Sequence, residues 1–115
     1  MKIERWGIYL VDLNPPVGTK PGKTRPALVV QHNALNLIKH PSTVLLPITS
    51  QLKKGNVFPL RVELRGGEYG IDKDSAILVD QILTWDNRRI IKQIGKLSPK
   101  KAAEVELAMK QFFGW

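Results

Sequence analysis

Two apolar runs decide how this chain folds: Ile8-Tyr9-Leu10-Val11-Asp12-Leu13 and, after Pro26, Ala27-Leu28-Val29-Val30. The first shows no separate apolar stripe of helical period and the second is a short apolar run after a proline, so both predict strands and not helical faces. Between them, Asn14 to Thr24 holds three prolines, two glycines and two lysines. Prolines remove backbone donors and glycines relax the chain, so this stretch predicts an irregular loop that can lie over a site. Strand, loop, strand is therefore the opening unit.

Working outward, Thr43 to Thr49 is rich in β-branched residues and leucine and reads as a third strand, in which Pro47 implies a bulge or an edge because it cannot donate to a ladder. Gln51 to Asn56 is a polar turn carrying Lys53 and Lys54. Val57 to Leu64 has a period of two, with Leu60, Val62 and Leu64 on one face and Arg61, Glu63 and Arg65 on the other. After the Gly66-Gly67 turn, Ser75 to Val79 predicts a strand buried on both faces, and Ile90 to Leu97 a half-exposed one. The end of the chain changes character. Ser98 followed by Pro99 is a helix start, an N-cap hydroxyl before the residue favoured at the first helical position. Ala102, Val105, Met109, Phe112 and Phe113 then fall on one face as core, and Gly114 stops the helix. Five or six short strands and one packed helix predict a mainly β fold with a C-terminal helix, a small curled barrel of the SH3-like kind, in a single domain spanning 1–115.

Composition narrows the chemistry. The chain has no cysteine, so it has no disulfide framework and no thiol nucleophile or thiolate metal site. Met1 to Trp6 holds three charges before any apolar run, unlike a secretory signal, and no apolar stretch approaches the roughly 20 residues of a membrane helix; a cytoplasmic protein is the expectation. The 18 Lys and Arg exceed 10 Asp and Glu by eight charges, and the first 60 residues hold eight basic against two acidic residues. Such a lopsided basic half makes nucleic acid the leading partner class, with an ordinary solvated surface as the alternative. His32 and His40 have no acidic or histidine neighbours at metal-ligand spacing and read as structural or solvated, so neither a metal nor another cofactor is expected. Paired carboxylates and a nucleophile elbow are both lacking. Gly22-Lys23-Thr24 imitates the end of a phosphate-binding P-loop, but Gly18 stands too close and a strand, not a helix, follows.

What remains is a loop delivering an arginine to the start of a strand, Val17-Gly18 through Arg25-Pro26. Gly7, Val11, Asp12, Leu13 and Pro15 precede it in order. Pro47-Ile48-Thr49-Ser50 ends the third strand. Asp74, Ser75, Leu78, Asp80, Gln81, Ile82, Thr84 and Asp86 form a third constellation, and Ile94-Gly95-Lys96-Leu97 leads into the helix. In these motifs, over essentially its whole length, the chain resembles the MazF/PemK family of toxins.

The resemblance implies an SH3-like barrel of the MazF/PemK/CcdB toxin kind, a homodimer with a groove across its subunits, and control by a cognate antitoxin. It implies sequence-specific, metal-independent cleavage of single-stranded RNA through attack of the 2'-hydroxyl on the adjacent phosphate. Arg25 and Thr49 match the catalytic pair. Their alternatives are a surface ion pair and a plain strand threonine. Thr19, Lys20, Lys23, Thr24, Ser50, Lys53 and Lys54 are the expected RNA contacts of the two flanking loops, with solvated lysine as the other reading of the four lysines. Asp80 and Gln81 are placed to meet base edges. Trp6 and Trp85 have two readings, base stacking and core or dimer packing. The chain departs from the common pattern at Thr19, Lys20 and Pro21, where many members carry an acid or histidine, and at Leu83 and Trp85, where arginine and an aliphatic residue are usual; the general base is therefore not named. Two further functions share the fold or the charge: a DNA gyrase-poisoning toxin and a noncatalytic nucleic-acid-binding barrel.

Overall fold

The computed structural model describes residues 1–15, 18, 23–52 and 58–115. Its strands are β1 (Gly7–Asp12), β2 (Thr24–Val29), β3 (Ser42–Thr49), β4 (Arg61–Leu64), β5 (Ser75–Leu78), β6 (Leu83–Asp86) and β7 (Ile90–Lys96), with helices α1 (Asn33–Leu37) and α2 (Pro99–Phe113). All pairings are antiparallel, and the order runs β4-β5-β3-β2-β1-β7, with β6 also on β3. The curl of the expected barrel is present, but no ladder closes it among the described residues. β6 and β7 are instead joined by a short 3-10 turn, Asn87–Arg89, so the sheet returns to β1 through the chain itself.

The unbroken apolar sequence of β1, β2 and β3 is explained by burial on both faces. Ile8, Leu28, Leu46 and Ile48 face one way, into a core completed by Val62, Leu64, Ile77 and Val79 and capped by Ala102, Val105 and Ala108 of α2. Tyr9, Val11, Ala27, Val29 and Leu45 face the other way, into a second core with Leu13 and Ile90, bordered by Ile3, Leu83 and Trp85. Period two thus sorts neighbouring residues into different interiors.

Pro47 lies inside β3, not at an edge. On one side β3 pairs with β2; on the other it pairs with β6 at Ser42 to Leu45 and with β5 at Ile48 and Thr49. The Val30 amide donates to the Val44 carbonyl at 3.1 Å, which sets the alternation and turns the nitrogen of Pro47 away from β2, toward the gap where β3 changes partners. A missing donor is tolerated there. The 3-10 turn Val79–Gln81 occupies the connection across that gap, so the strand expected to include Val79 ends at Leu78.

Other boundaries shift for local reasons. β4 starts at Arg61; Leu60 is exposed, not inward, and Val57 lies outside the described residues. β6 is a strand of four residues with none of them buried, so no apolar face announces it in the sequence. In α2, Ser98 Oγ accepts from the Lys101 amide at 3.2 Å and Gly114 adopts φ 74°, as the capping residues predict. Ala108 is its last buried residue, and Phe112 and Phe113 are 37% exposed, because the helix outruns the sheet beneath it. They pack on each other, and Phe113 stacks on Trp115, instead of in the core. Close backbone approach explains two glycines: a Cβ on Gly70 would land on the Ile94 carbonyl, and one on Gly95 on that of Tyr69.

Candidate nucleic-acid interface

The candidate site lies where β2 begins and β3 ends. The β2–β3 register runs from Val29↔Leu45 to Ala27↔Pro47. By the same alternation, the nitrogen of Pro26 faces β3, and proline has nothing to donate, so the ladder stops there. Continued by one side-chain period, the register sets Arg25 across from Thr49, on one face of the sheet and just past the last paired residues. Opposed residues in antiparallel strands bring their Cβ atoms to about 4.5–5.5 Å. The Arg-Pro dipeptide therefore both ends the ladder and places Arg25 beside the opening.

Arg25 is held on its other flank by pairing with Val11 and is half-buried. Thr49 pairs with Ala76 of β5 and is 6% exposed. Its Oγ1 accepts from the Gln51 amide at 3.1 Å, which leaves the hydroxyl hydrogen as the group it can give to a phosphate oxygen. The Gln51 carbonyl in turn accepts from Arg61 Nη1 at 3.0 Å, tying down the segment that carries exposed Ser50. Lys23 and Thr24 are exposed immediately before Arg25. Thr19, Lys20, Lys53 and Lys54 lie outside the described residues. Asp80 and Gln81 stand on the 3-10 turn beside the partner change of β3, displaced along that strand from the level of Thr49.

A network that the sequence reading misses shapes the loop at its neck. Asp12 Oδ1 accepts from the Asn14 amide at 3.0 Å, and Asn14 Oδ1 accepts from the Lys23 amide at 2.7 Å. The Leu13 amide donates to the Lys23 carbonyl at 2.9 Å. Lys23 has φ 69°, a left-handed conformation that disfavours a side chain by about 1–2 kcal/mol, and bonds at both its amide and its carbonyl hold it there. Arg89 Nη2 donates to Asp12 Oδ2 at 3.3 Å and to the Asn14 carbonyl. The Asn14 amide, and after it Arg89, keep the Asp12 carboxyl below its ordinary range.

Both tryptophans face arginines. Trp85 Nε1 donates to the Asp12 carbonyl at 2.6 Å, and the Arg89 guanidinium sits 4.9 Å from its ring centre. Trp6 packs against the α2-side core with Arg5 4.5 Å from its ring centre. Core packing is the role this geometry gives them. The histidines are structural: His32 Nδ1 accepts from the Ala34 amide and caps α1, and His40 Nδ1 lies 2.8 Å from the Ser42 carbonyl. A cleft of about 610 Å³ lined by Lys2, Leu37, His40 and Asn87 lies toward the opposite end of β3, away from Arg25 and Thr49.

Residues 4–113 match the family described as PemK-like, MazF-like toxin of type II toxin-antitoxin system. The chain belongs to this family. As a PemK/MazF-like toxin it shares its fold with MazF from Deinococcus radiodurans, at TM-score 0.81 and 24% identity over 100% of this chain and 99% of that one. It is likewise similar to the Mycobacterium tuberculosis toxin MazF-mt6, at TM-score 0.77 and 18% identity over 94% and 96% of the two chains. An endoribonuclease in complex with its cognate antitoxin, from Mycobacterial species, aligns at TM-score 0.74 and 19% identity over 98% and 94%. In this PemK/MazF-like toxin the opening-strand and third-strand motifs lie side by side at Arg25 and Thr49, and the motif at Asp80 and Gln81 lies further along β3. No helix among the described residues is long and apolar enough to cross a membrane.

Proposed function

We propose that this toxin is a metal-independent endoribonuclease of single-stranded RNA, acting in the cytoplasm as a homodimer and neutralised by its cognate antitoxin. The observation that carries the reading is the register that opposes Arg25 and Thr49 where Pro26 ends the ladder, at the mouth of a lysine-bearing loop. In the reaction the 2'-oxygen attacks phosphorus and the bond to the 5'-oxygen breaks; a base takes the 2'-proton, and the leaving oxygen takes one up. A guanidinium keeps its charge and presents a planar fork of donors, suited to the negative charge that builds on the phosphate in the transition state. The threonine hydroxyl holds a non-bridging oxygen in line. Lys20, Lys23, Lys53 and Lys54, with Thr19, Thr24 and Ser50, contact the backbone, and Asp80 and Gln81 read bases.

Incubating the toxin, freed of antitoxin, with labelled RNA in excess chelator tests this reading. Cleavage to 2',3'-cyclic phosphate and 5'-hydroxyl ends is expected, with Arg25→Ala lowering kcat by about 10²–10³. RNA left intact by the wild-type protein overturns the reading, and a gyrase-inhibition assay on the same preparation then tests the poison of the same fold. Binding without cleavage would mark a noncatalytic barrel.

A further inference from the structure

We infer that Asp12 and Arg89 are positioning residues, which lock the neck of the Asn14–Lys23 loop and thereby fix Arg25 for the cleavage proposed above. The inference deepens that reading and depends on it for its catalytic part. Its structural part stands on the bonds alone. The β1–β2 ladder ends at Asp12↔Thr24, adjacent to Val11↔Arg25. Beyond it, Leu13 and Asn14 hold the carbonyl and the amide of Lys23, two residues before Arg25. Those bonds need the chain at Asn14 to be turned correctly, and two groups set it: the Asp12 carboxylate on the Asn14 amide, and Arg89 on the Asn14 carbonyl. Arg89 joins both by also bonding Asp12 Oδ2.

Arg89 reaches the neck from the turn between β6 and β7, 77 residues away in sequence. Its planar head bridges a side chain and a backbone carbonyl while lying over the Trp85 ring, whose Nε1 bonds the Asp12 carbonyl. Lysine, a point charge with no fork, cannot reproduce this. The neck is therefore clamped from the β7 side of β1, where Ile90 pairs with Val11, while its other end carries Arg25 on β2. Displacing a catalytic group by about 1 Å can lower a rate by about 10²-fold without weakening substrate binding in proportion.

Four variants, Arg89→Ala, Arg89→Lys, Asp12→Asn and the double Asp12→Asn/Arg89→Ala, are compared with wild type and Arg25→Ala in the full chain. The expected result is that Arg89→Ala and Asp12→Asn lower kcat about 10- to 100-fold with KM within about 3-fold, and that the double variant falls no further than either alone. Arg89→Lys recovers little. Trypsin reports on the neck independently of RNA: cleavage after Lys23 accelerates in the neck variants and not in Arg25→Ala, while thermal melting shows that all remain folded. Wild-type kcat in the folded Arg89→Ala and Asp12→Asn variants overturns the positioning role. Unchanged trypsin cleavage overturns the clamp itself. If wild type leaves RNA intact, the ribonuclease reading fails instead, and the trypsin arm still decides whether the clamp exists.

Discussion

The two interiors on either side of β1, β2 and β3 are built from different materials. The buried residues of the α2-side core are all aliphatic, isoleucine, leucine, valine and alanine, with the aromatics Trp6 and Tyr69 confined to its border. The other interior contains Tyr9 and is bordered by Trp85, and both spend a polar atom on backbone outside it. Tyr9 Oη donates to the Lys2 carbonyl at 3.1 Å and accepts from the Glu4 amide at 2.9 Å, while Trp85 reaches Asp12. An aliphatic interior gains from burial without specifying what lies beyond it. An aromatic with a polar tip fixes both the interior and a neighbouring strand or loop. One face of this sheet holds the protein together, and the other also orients its termini and loops.

Breaking that contrast should give its largest effect on the helix side. Ile77→Ala removes a fully buried side chain from the first core and is expected to lower unfolding free energy by about 2–5 kcal/mol in urea titration, with kcat of the remaining folded protein unchanged. Trp85→Phe keeps most of the ring but strands the Asp12 carbonyl, so a loss of about 1–2 kcal/mol is expected, accompanied by a fall in kcat measured on RNA. Equal effects of the two substitutions on activity would show that the faces are not specialised.

The smallest effect is acid sensitivity. Arg88, through its side chain and its amide, holds Asp86 down to about 2 from an ordinary 3.8. Asp12 is lowered chiefly by the Asn14 amide, and Glu4 chiefly by Gln93. A lowered carboxyl stabilises the fold fully above its unfolded pKa, and that contribution fades as pH falls through the folded value. Stability should therefore decline modestly from about pH 4 to about pH 2, and Asp86→Asn should flatten part of the slope. These carboxyls bond residues of the loops and edges around the second interior, so the same titration of kcat should move with Asp12 and not with the α2-side core.

Most of the sheet was legible because burial on one or both faces imprints directly on sequence in β1, β2, β3, β5 and β7. α2 was legible from its two caps and its stripe, though periodicity alone could not say where the sheet beneath it would run out. β6 and α1 escaped because neither has a buried residue to imprint a pattern: β6 is partly or fully exposed throughout, unlike the equally short β5, and α1 is five residues capped by a histidine. Arg25 and Thr49 stood out through motif resemblance, and their opposition depends on a register that no local pattern reveals. Arg89 was illegible because its partners are 77 and 75 residues distant. On sequence it is one more cation.

Gly70 and Gly95 meet main chain to main chain, with the carbonyls of Ile94 and Tyr69 filling the space where their side chains would be. A contact of that kind is indifferent to the identity of surrounding side chains. A change of side chain at exposed Glu68 is therefore compatible with docking on β7, whereas even a methyl group at either glycine forces the two segments apart. Two hydrogens act there as the spacer that sets how tightly the outer loop hugs the sheet, and a library randomised across this region should recover glycine at these two positions while tolerating wide variety at exposed Glu68.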